Sequence, residues 1–499
     1  MKIKELLTKQ AKDNPGKCAV VFEDESISFL QLKDTSFALA NYLFSAGIKE
    51  EDKIAIFLPN NLQAIYSFLG TFSTGAVCVP LDFMLVEGEV INFINHSQAK
   101  VLISQPKKGV DFSNIKKSCP ALEEIILCKE KIDGFPFWDE ILDKSNSIEP
   151  TCEINQGSLS SIFYTSGSTG NPKGVMLSYK HLDNPVRTID HFLGVLPEDI
   201  FLCGGVPFSH FGGLDYILLM VYFSCKLILM ERFHPHEFLK NIQEHKVTVF
   251  CIVPAMFVAI LSLKEYNKFD LSSLRYAVVF GAPSSPALLR RFQKVAPGAC
   301  LSNGWGMTET AAPNCLLTSG IEKIQSIGKF SPWIKAKIVD EQNRELESGQ
   351  RGELLVKGEA VMSGYYREPQ LTEQVLTEDG WLRTGDIAYF DEQGLFYIVG
   401  RIKDMIKVAG EIVIAAEVEQ RIYKHPKVKE AAVIGVADNL RGEVPKAFIV
   451  TKESQKLEAQ ELKDFLKNHM ANFKIPHHFE FVNDLPKNRT GKIDKRKLS

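Results

Sequence analysis

The sequence predicts an α/β protein that carries a smaller α+β domain at its C-terminus. Three observations support this prediction. Residues 1 to about 330 alternate short apolar runs with segments of helical spacing. From about residue 330, strand-like runs follow one another between turn-rich segments, and beyond about residue 402 a compact mixture of strands and helices begins. Strands that alternate with helices are typical of a largely parallel sheet covered by helices.

The first elements of this alternation lie before residue 170. Ile54–Leu58 and Ala76–Pro80 are strand-like, and Leu62–Leu69 between them has helical spacing. Ser161–Thr165 is predicted as a strand that leads into a segment rich in glycine, serine and threonine.

The same pattern continues to about residue 330. Helical spacing and apolar runs alternate in the order Phe238, Leu239 and Ile242 (a helix face), Val247–Val253 (a strand), Arg275–Phe280 (a strand) and Pro286–Val295 (a helix).

The C-terminal third has a different pattern. Three strands separated by turns are predicted at Ala336–Val339, Gly352–Val356 and Gly394–Val399. A small α+β domain is then predicted from helices at Ala415–His425 and Gln460–Met470 and strands at Ala431–Val436 and Lys446–Thr451.

Composition excludes several classes of protein. The 499 residues include 58 basic and 61 acidic side chains, so a dedicated nucleic-acid binder, which needs a basic excess, is not expected. No uncharged apolar run reaches the ~18 residues of a transmembrane helix. The ten cysteines form no C-x-x-C pair, which indicates thiols in a reducing compartment and a cytoplasmic protein.

The most informative motif is Tyr164-Thr-Ser-Gly-Ser-Thr-Gly-Asn-Pro-Lys-Gly174. Its glycines allow backbone amides to approach an anion closely, and its hydroxyl groups and Lys173 add donors and a positive charge. The segment suits a polyphosphate, although composition alone leaves a surface turn as the alternative. It is not a Walker loop, because Pro172 stands where that motif needs its second glycine, and it is not a G-x-S-x-G elbow.

Other chemistry-bearing segments follow along the chain at residues 206–213, 281–283, 303–310, 381–386, 400–407 and 486–493. The flat ring of Trp305 offers a stacking surface, and the carboxylate of Glu309 is a hard oxygen ligand suited to Mg²⁺. Each residue also has a purely structural interpretation. His210 alone fits a core histidine, and the lysines after residue 486 alone fit a basic tail.

In this order the segments resemble the motifs of the adenylate-forming superfamily, which includes acyl- and aryl-CoA synthetases, nonribosomal-peptide adenylation domains and beetle luciferases. The resemblance runs from about Ser161 to Ile493. It implies a large N-terminal AMP-binding domain with α/β sheets and a small β subdomain over residues 1–400, a hinge at 401–404, and a small mobile α+β lid domain at 405–499.

The resemblance also implies the roles of individual residues. The residues expected to contact the phosphates of ATP are Thr165, Ser166, Gly167, Ser168, Thr169, Gly170 and Lys173. Those expected at adenine are Gly281, Ala282, Pro283, Trp305 and Gly306. Asp386 is expected to bind the ribose, and Arg401 is expected to contact the nucleotide. The residues expected to act on the reacting groups are Lys492, Thr308, Glu309 and His210. Mg²⁺ is expected at Glu309 and Thr165, the hinge at Lys403, and the thiol near Gly410.

The implied activity is activation of a small-molecule carboxylic acid by ATP and Mg²⁺ to an acyl-adenylate, followed by transfer to coenzyme A. The apolar stretch Phe211–Phe223 favours a fatty or aromatic acid over acetate. Phe211 and Gly212 stand where amino-acid-activating relatives place an aspartate, and a buried unpaired ammonium is costly, so an amino acid is not expected.

Three alternatives stay open at this stage. The acceptor could be the thiol of an acyl carrier protein, since Ala409-Gly410 replaces the usual glycine pair beside the thiol tunnel. The chain could be a luciferase-like oxygenase, or a non-catalytic nucleotide sensor. A homodimer is also left open.

Overall fold

The computed structural model describes residues 2–165, 173–281, 286–318, 321–409, 411–438, 440–452, 455–487 and 493–498, with no side-chain description at Ile321. These residues form 25 strands in four sheets and 14 α-helices. The strands are β1 Cys18–Phe22, β2 Glu25–Ser28, β3 Lys53–Phe57, β4 Val77–Pro80, β5 Val101–Ser104, β6 Glu124–Leu127, β7 Leu159–Thr165, β8 Lys173–Ser178, β9 Ile200–Gly204, β10 Lys226–Met230, β11 Val249–Ile252, β12 Tyr276–Val279, β13 Cys300–Trp305, β14 Cys315–Leu316, β15 Lys329–Phe330, β16 Ile334–Val339, β17 Gly352–Gly358, β18 Gly364–Tyr365, β19 Leu382–Phe390, β20 Phe396–Arg401, β21 Met405–Val408, β22 Glu411–Ile414, β23 Val428–Asp438, β24 Gly442–Thr451 and β25 His478–Phe481.

The helices are α1 Ile3–Asp13, α2 Phe29–Ser45, α3 Leu62–Thr74, α4 Glu87–Ser97, α5 Phe112–Ser118, α6 Trp138–Lys144, α7 Asp183–Leu193, α8 Phe211–Phe223, α9 Pro235–His245, α10 Pro254–Ser262, α11 Pro286–Val295, α12 Pro369–Val375, α13 Ala415–Ile422 and α14 Ala459–Lys467. Among the described residues, no helix is long and apolar enough to cross a lipid bilayer.

Two large sheets form the N-terminal part. The first has the order β18-β8-β7-β4-β3-β5-β6, and the second has the order β15-β14-β13-β12-β11-β9-β10-β1-β2. Strands β3 to β7 of the first sheet are parallel, as are β13 through β1 of the second, and antiparallel strands lie only at the edges. Strands buried on both faces need continuous apolar runs, which is why these segments could be predicted.

One continuous core joins the two large sheets. It contains side chains of α3, α8, β7 and β8, and helix α3 is buried along almost its whole length. Asn61 caps the start of α3 by accepting a hydrogen bond from the Ala64 N–H (2.8 Å), and Gly75 ends it in the left-handed conformation (φ 80°). The helix therefore extends five residues beyond the predicted Leu69.

Two smaller sheets complete the chain. Strands β16, β17, β19 and β20 form an antiparallel sheet, and β21 to β25 form a five-stranded sheet covered by α13 and α14. This confirms the predicted fold class, a large α/β domain with a small β subdomain followed by a small α+β domain. The helix predicted at Ala415–His425 ends at Ile422, where the chain turns toward β23.

Chain order and sheet membership do not coincide. The N-terminal strands β1 and β2 belong to the second large sheet, whereas β7, β8 and the distant β18 belong to the first. The sequence pattern could not reveal this arrangement, because it identifies strands without identifying their partners.

Candidate active site

The site begins at the hairpin of β7 and β8. Thr165, the last residue of β7, pairs with Lys173, the first residue of β8, so both predicted phosphate contacts lie side by side at the mouth of the connecting loop. The remaining residues predicted in this loop lie outside the described residues: Ser166, Gly167, Ser168, Thr169 and Gly170.

Lys173 is linked to Glu309 through Tyr365. The two-residue strand β18 pairs with β8, where Tyr365 lies opposite Val175. The Lys173 ammonium lies 5.1 Å from the centroid of the Tyr365 ring, and the Tyr365 hydroxyl donates a hydrogen bond to Glu309 Oε1 (3.0 Å). A residue far along the chain therefore connects the phosphate-loop lysine with the predicted Mg²⁺ ligand.

Glu309 lies in the 3₁₀ turn Thr308–Thr310 that follows β13. Its carbonyl oxygen accepts a hydrogen bond from the Met362 N–H (2.9 Å). Burial raises the pKa of the Glu309 carboxyl, while the Tyr365 hydrogen bond and the positive charges of Arg401 and Lys173 act in the opposite direction. A carboxylate so placed fits the hard oxygen ligand that Mg²⁺ prefers.

The turn itself is held by buried groups. The Asn184 side-chain amide donates to the carbonyl oxygens of Ala311 (2.7 Å) and Pro313 (3.0 Å). A Cβ atom on Gly306 would lie 2.6 Å from Ala312 Cβ, so only glycine fits there. The backbone around Thr308 and Glu309 is thus fixed by packing.

The carboxylate of Asp386 contacts two donor groups, one on each oxygen. Its Oδ2 accepts a hydrogen bond from the Trp305 indole N–H (2.8 Å), and its Oδ1 lies 2.8 Å from Arg401 Nε. Asp386 and Arg401 are paired residues of β19 and β20, and Trp305 ends β13. Asp386 is only 3% exposed and Trp305 only 8%, so this pairing is a buried one.

The structure therefore brings five predicted residues from four segments together: Lys173, Trp305, Glu309, Asp386 and Arg401. The chain itself joins the Asp386 and Glu309 parts of the site, because Trp305, which donates to Asp386, and Glu309 lie in the same segment. Tyr365 was not singled out from the sequence. A lone Gly-Tyr pair has no periodicity or spacing that would have indicated its role.

Other predicted residues lie around this network. His210 immediately precedes α8, whose Phe211 packs edge-on against Phe163 of β7 (5.4 Å between ring centroids). Gly281 follows β12 with a φ of 85°, a left-handed conformation that glycine adopts readily. Strand β12 pairs with β13, so Gly281 and Trp305 emerge at the same edge of the sheet.

Lys403 is not part of this network. It lies exposed in the 3₁₀ turn Ile402–Asp404 between β20 and β21. Ala282, Pro283, Gly410 and Lys492 lie outside the described residues. The described residues contain no group of three or more His, Cys, Asp or Glu side chains that could hold a metal ion by themselves.

Comparisons with known proteins identify the family of the chain. The family of AMP-binding enzymes matches residues 7–366, and the C-terminal domain of AMP-binding enzymes matches residues 417–492. A long-chain-fatty-acid–CoA ligase of Bacillus subtilis is 32% identical over 99% of this chain and 94% of its own length. The luciferin 4-monooxygenase of Photinus pyralis is 30% identical over 95% of this chain and 88% of its own length.

Solved structures agree as well. The anthranilate CoA ligase in complex with anthranoyl-AMP superimposes with a TM-score of 0.92 at 26% identity, covering 100% of this chain and 96% of that one. The chain therefore belongs to the AMP-binding enzymes of the adenylate-forming superfamily and is an enzyme of its acid–thiol ligase type.

Proposed function

We propose that this enzyme converts a fatty or aromatic carboxylic acid to its acyl-adenylate with ATP and then to its coenzyme A thioester. The observation that carries this proposal is the network from Lys173 through Tyr365 and Glu309 to Arg401, Asp386 and Trp305. It holds one cation and two carboxylates together, and we assign Lys173 to phosphate, Glu309 to Mg²⁺ and Asp386 to ribose. That combination suits ATP as a substrate.

In the first half-reaction, the substrate carboxylate attacks the α-phosphorus of ATP and pyrophosphate leaves. A carboxylate is already nucleophilic at neutral pH, so the enzyme's task is to position the reactants and offset negative charge. We assign Lys173 to the phosphates, Thr308 to the α-phosphate and carboxylate, and Lys492 to the bridge between the two reacting groups. Asp386 then accepts hydrogen bonds from the ribose hydroxyls, and Trp305 contacts adenine.

Glu309 and Thr165 are the residues we assign to Mg²⁺. When bound there, Mg²⁺ neutralises charge on the phosphate oxygens. Two protein ligands are enough for such a role, because Mg²⁺ commonly keeps water and substrate phosphates as its other ligands.

In the second half-reaction, a thiolate attacks the acyl carbon of the adenylate and AMP leaves. We propose that the lid domain rotates about Lys403, withdraws Lys492 and presents Gly410 to the thiol. The exposed position of Lys403 between β20 and β21 supports a hinge there, since a connecting turn absorbs backbone rotation most easily.

The test is ATP–pyrophosphate exchange with the purified enzyme and a panel of acids, fatty acids from C4 to C18 together with benzoate- and cinnamate-type acids. Exchange that depends on one group of acids supports adenylation and identifies the substrate class. ATP binding without exchange for any acid would contradict the proposal and favour a nucleotide sensor.

The acceptor is tested separately by mass spectrometry after adenylate formation. Acyl-CoA as the product supports coenzyme A, whereas an acylated carrier protein in a parallel reaction would favour a carrier-loading enzyme. Light or CO₂ release from an adenylated luciferin would favour the oxygenase of the Photinus relative.

A further inference from the structure

Helix α8 carries one buried carboxyl group in an otherwise uncharged sequence, FGGLDYILLMVYF. The residue is Asp215, which is only 7% exposed. Its Oδ1 atom is shielded from solvent and has no hydrogen-bond partner among the described residues. A buried polar group without a partner is rare in proteins and calls for an explanation.

Two other buried polar residues show the contrast with Asp215. The Tyr216 hydroxyl donates to the Cys251 carbonyl oxygen (3.0 Å) and accepts from the Cys251 N–H (3.0 Å). Asp199, another buried aspartate, forms an ion pair with Arg275. Both residues therefore have partners, whereas Asp215 Oδ1 has none within the part of the chain that the structure describes.

Asp215 belongs to the helix that begins directly after His210, at the predicted acyl pocket. Asp215 is one helical turn from Gly212, and residues three apart lie on the same helix face. A Cβ atom on Gly212 would meet no heavy atom within 4 Å outside its own helix backbone, so the space beside the first turn of α8 is open. This turn follows His210 directly.

Strand β11 is hydrogen-bonded through Cys251 to Tyr216, the residue next to Asp215 in α8. Burial raises the pKa of the Cys251 thiol to about 12, and the charge of Asp215 adds to this effect. Burial also raises the pKa of Asp215 well above its usual range, with no opposing contribution from a cation. Tyr216 and Cys251 bind each other, and neither donates a hydrogen bond to Asp215 Oδ1.

We propose that Asp215 recognises a hydrogen-bond donor, a hydroxyl or amino group, on the acyl part of the substrate and remote from its reacting carboxylate. The inference rests on the proposed function, which places the acid beside His210 and α8. It refines the substrate class from a plain fatty or aromatic acid to one with a polar substituent. The apolar residues of α8 still suit the remaining chain or ring.

The experiment compares matched acids in ATP–pyrophosphate exchange. Each unsubstituted acid of the panel is paired with ω-hydroxy and ω-amino alkanoates of equal length, or with 4-hydroxy- and 4-aminobenzoate. We expect at least tenfold higher kcat/KM for the donor-bearing member of one pair. Equal values within every pair would overturn the proposal.

Three variants test whether Asp215 causes the preference for donor-bearing acids. Asp215→Leu should abolish it, and the isosteric Asp215→Asn should keep the hydroxyl preference, because an amide oxygen still accepts a hydrogen bond. Asp199→Asn is the matched control, since it changes a buried aspartate outside the site and should keep the preference. A preference that survives Asp215→Leu would overturn the proposal.

Equilibrium dialysis with labelled acids separates this inference from the proposed function. If no acid supports exchange, adenylation is wrong, but the donor-bearing acid should still bind wild type at least tenfold more tightly than it binds Asp215→Leu. Equal or absent binding in both proteins overturns the role of Asp215. Melting temperatures confirm that each variant is folded.

Discussion

At the scale of single residues, Asp386 shows how a carboxylate can be fixed before its ligand arrives. Trp305 and Arg401 bind different oxygens of this group, each at 2.8 Å. An ionised carboxylate has about four acceptor positions, so lone pairs remain for two ribose hydroxyls. The indole N–H is thus a positioning group, in addition to any contact of its ring with adenine.

The first prediction concerns this N–H. Trp305→Phe keeps an aromatic ring but removes the donor, and a hydrogen bond to a charged group contributes about 1.5–3 kcal/mol. We expect the KM for ATP in pyrophosphate exchange to rise roughly tenfold or more. Trp138→Phe is the control, since Trp138 is buried in α6 outside the network and should leave this KM unchanged. An unaltered KM in Trp305→Phe would refute the positioning role.

A second prediction concerns stability at Asp215. Because burial raises its pKa in the folded state, the folded protein binds a proton that the unfolded chain releases above about pH 3.9. The contribution of Asp215 to the free energy of unfolding of the wild type therefore falls as pH rises above that value. Asp215→Leu should increase the free energy of unfolding by about 1–3 kcal/mol at pH 7, and by less at pH 4.

Urea unfolding at the two pH values measures this difference. Asp215→Asn should show the same direction of pH dependence, because it also removes the titrating group. A pH-independent difference between wild type and both variants would show that Asp215 gains no proton on folding.

At the scale of secondary-structure elements, one of the shortest strands positions a residue of the candidate site. Strand β18 has two residues, yet its pairing with β8 delivers Tyr365 to both Lys173 and Glu309. The backbone of the next residue is also fixed, since the Tyr366 N–H donates to the Gly174 carbonyl oxygen (2.7 Å). The residues around 365 therefore fix the hairpin of β7 and β8, whose connecting loop is the predicted phosphate-binding loop.

Tyr365→Phe provides the third prediction. The loss of the hydroxyl removes the donor that orients Glu309, so we expect the Mg²⁺ concentration for half-maximal exchange to rise roughly tenfold. Tyr366→Phe is a matched control, because its hydroxyl donates to the Ser97 carbonyl oxygen (3.3 Å) instead. Equal Mg²⁺ dependence in both variants would contradict the assignment of Glu309.

The same elements show what the sequence could and could not predict. Parallel strands such as β3 and β4 are continuous buried runs, so their apolar residues indicated them directly. A two-residue strand such as β18 has no detectable period, and its partner is chosen by tertiary packing. Tyr365 was missed for this reason, whereas Glu309 and Asp386 were found because their motifs resemble those of a known family.

At the scale of the whole molecule, the two domains are in contact near the proposed hinge. Arg351 lies 3.6 Å from Glu417 of α13, and Glu417 also accepts hydrogen bonds from Lys474 (3.0 and 3.1 Å). Glu417 would therefore keep a partner if Arg351 moved away. Exposed pairs of this kind contribute only about 0–1 kcal/mol, so this contact is a weak barrier to rotation of the lid domain.

The fourth prediction tests the division of labour that lid rotation implies. Lys492→Ala should nearly abolish adenylation but spare thioester formation from a preformed acyl-adenylate. Lys497→Ala removes a nearby lysine of the same basic segment and should affect neither step. Equal loss in both half-reactions of Lys492→Ala would refute the division, and equal effects of the two variants would favour a simple basic tail.

The order of strands in the second large sheet has a consequence for synthesis of the chain. Strand β1 pairs with β10, with Val20 opposite Leu227, so its partner is translated about 200 residues later. At roughly 5–20 residues per second, the interval is on the order of 10–40 s. During that time this apolar strand, three of whose five residues are buried in the finished protein, can pair with β2 but not with β10. We therefore expect the nascent chain to expose one apolar strand edge until β10 has been made.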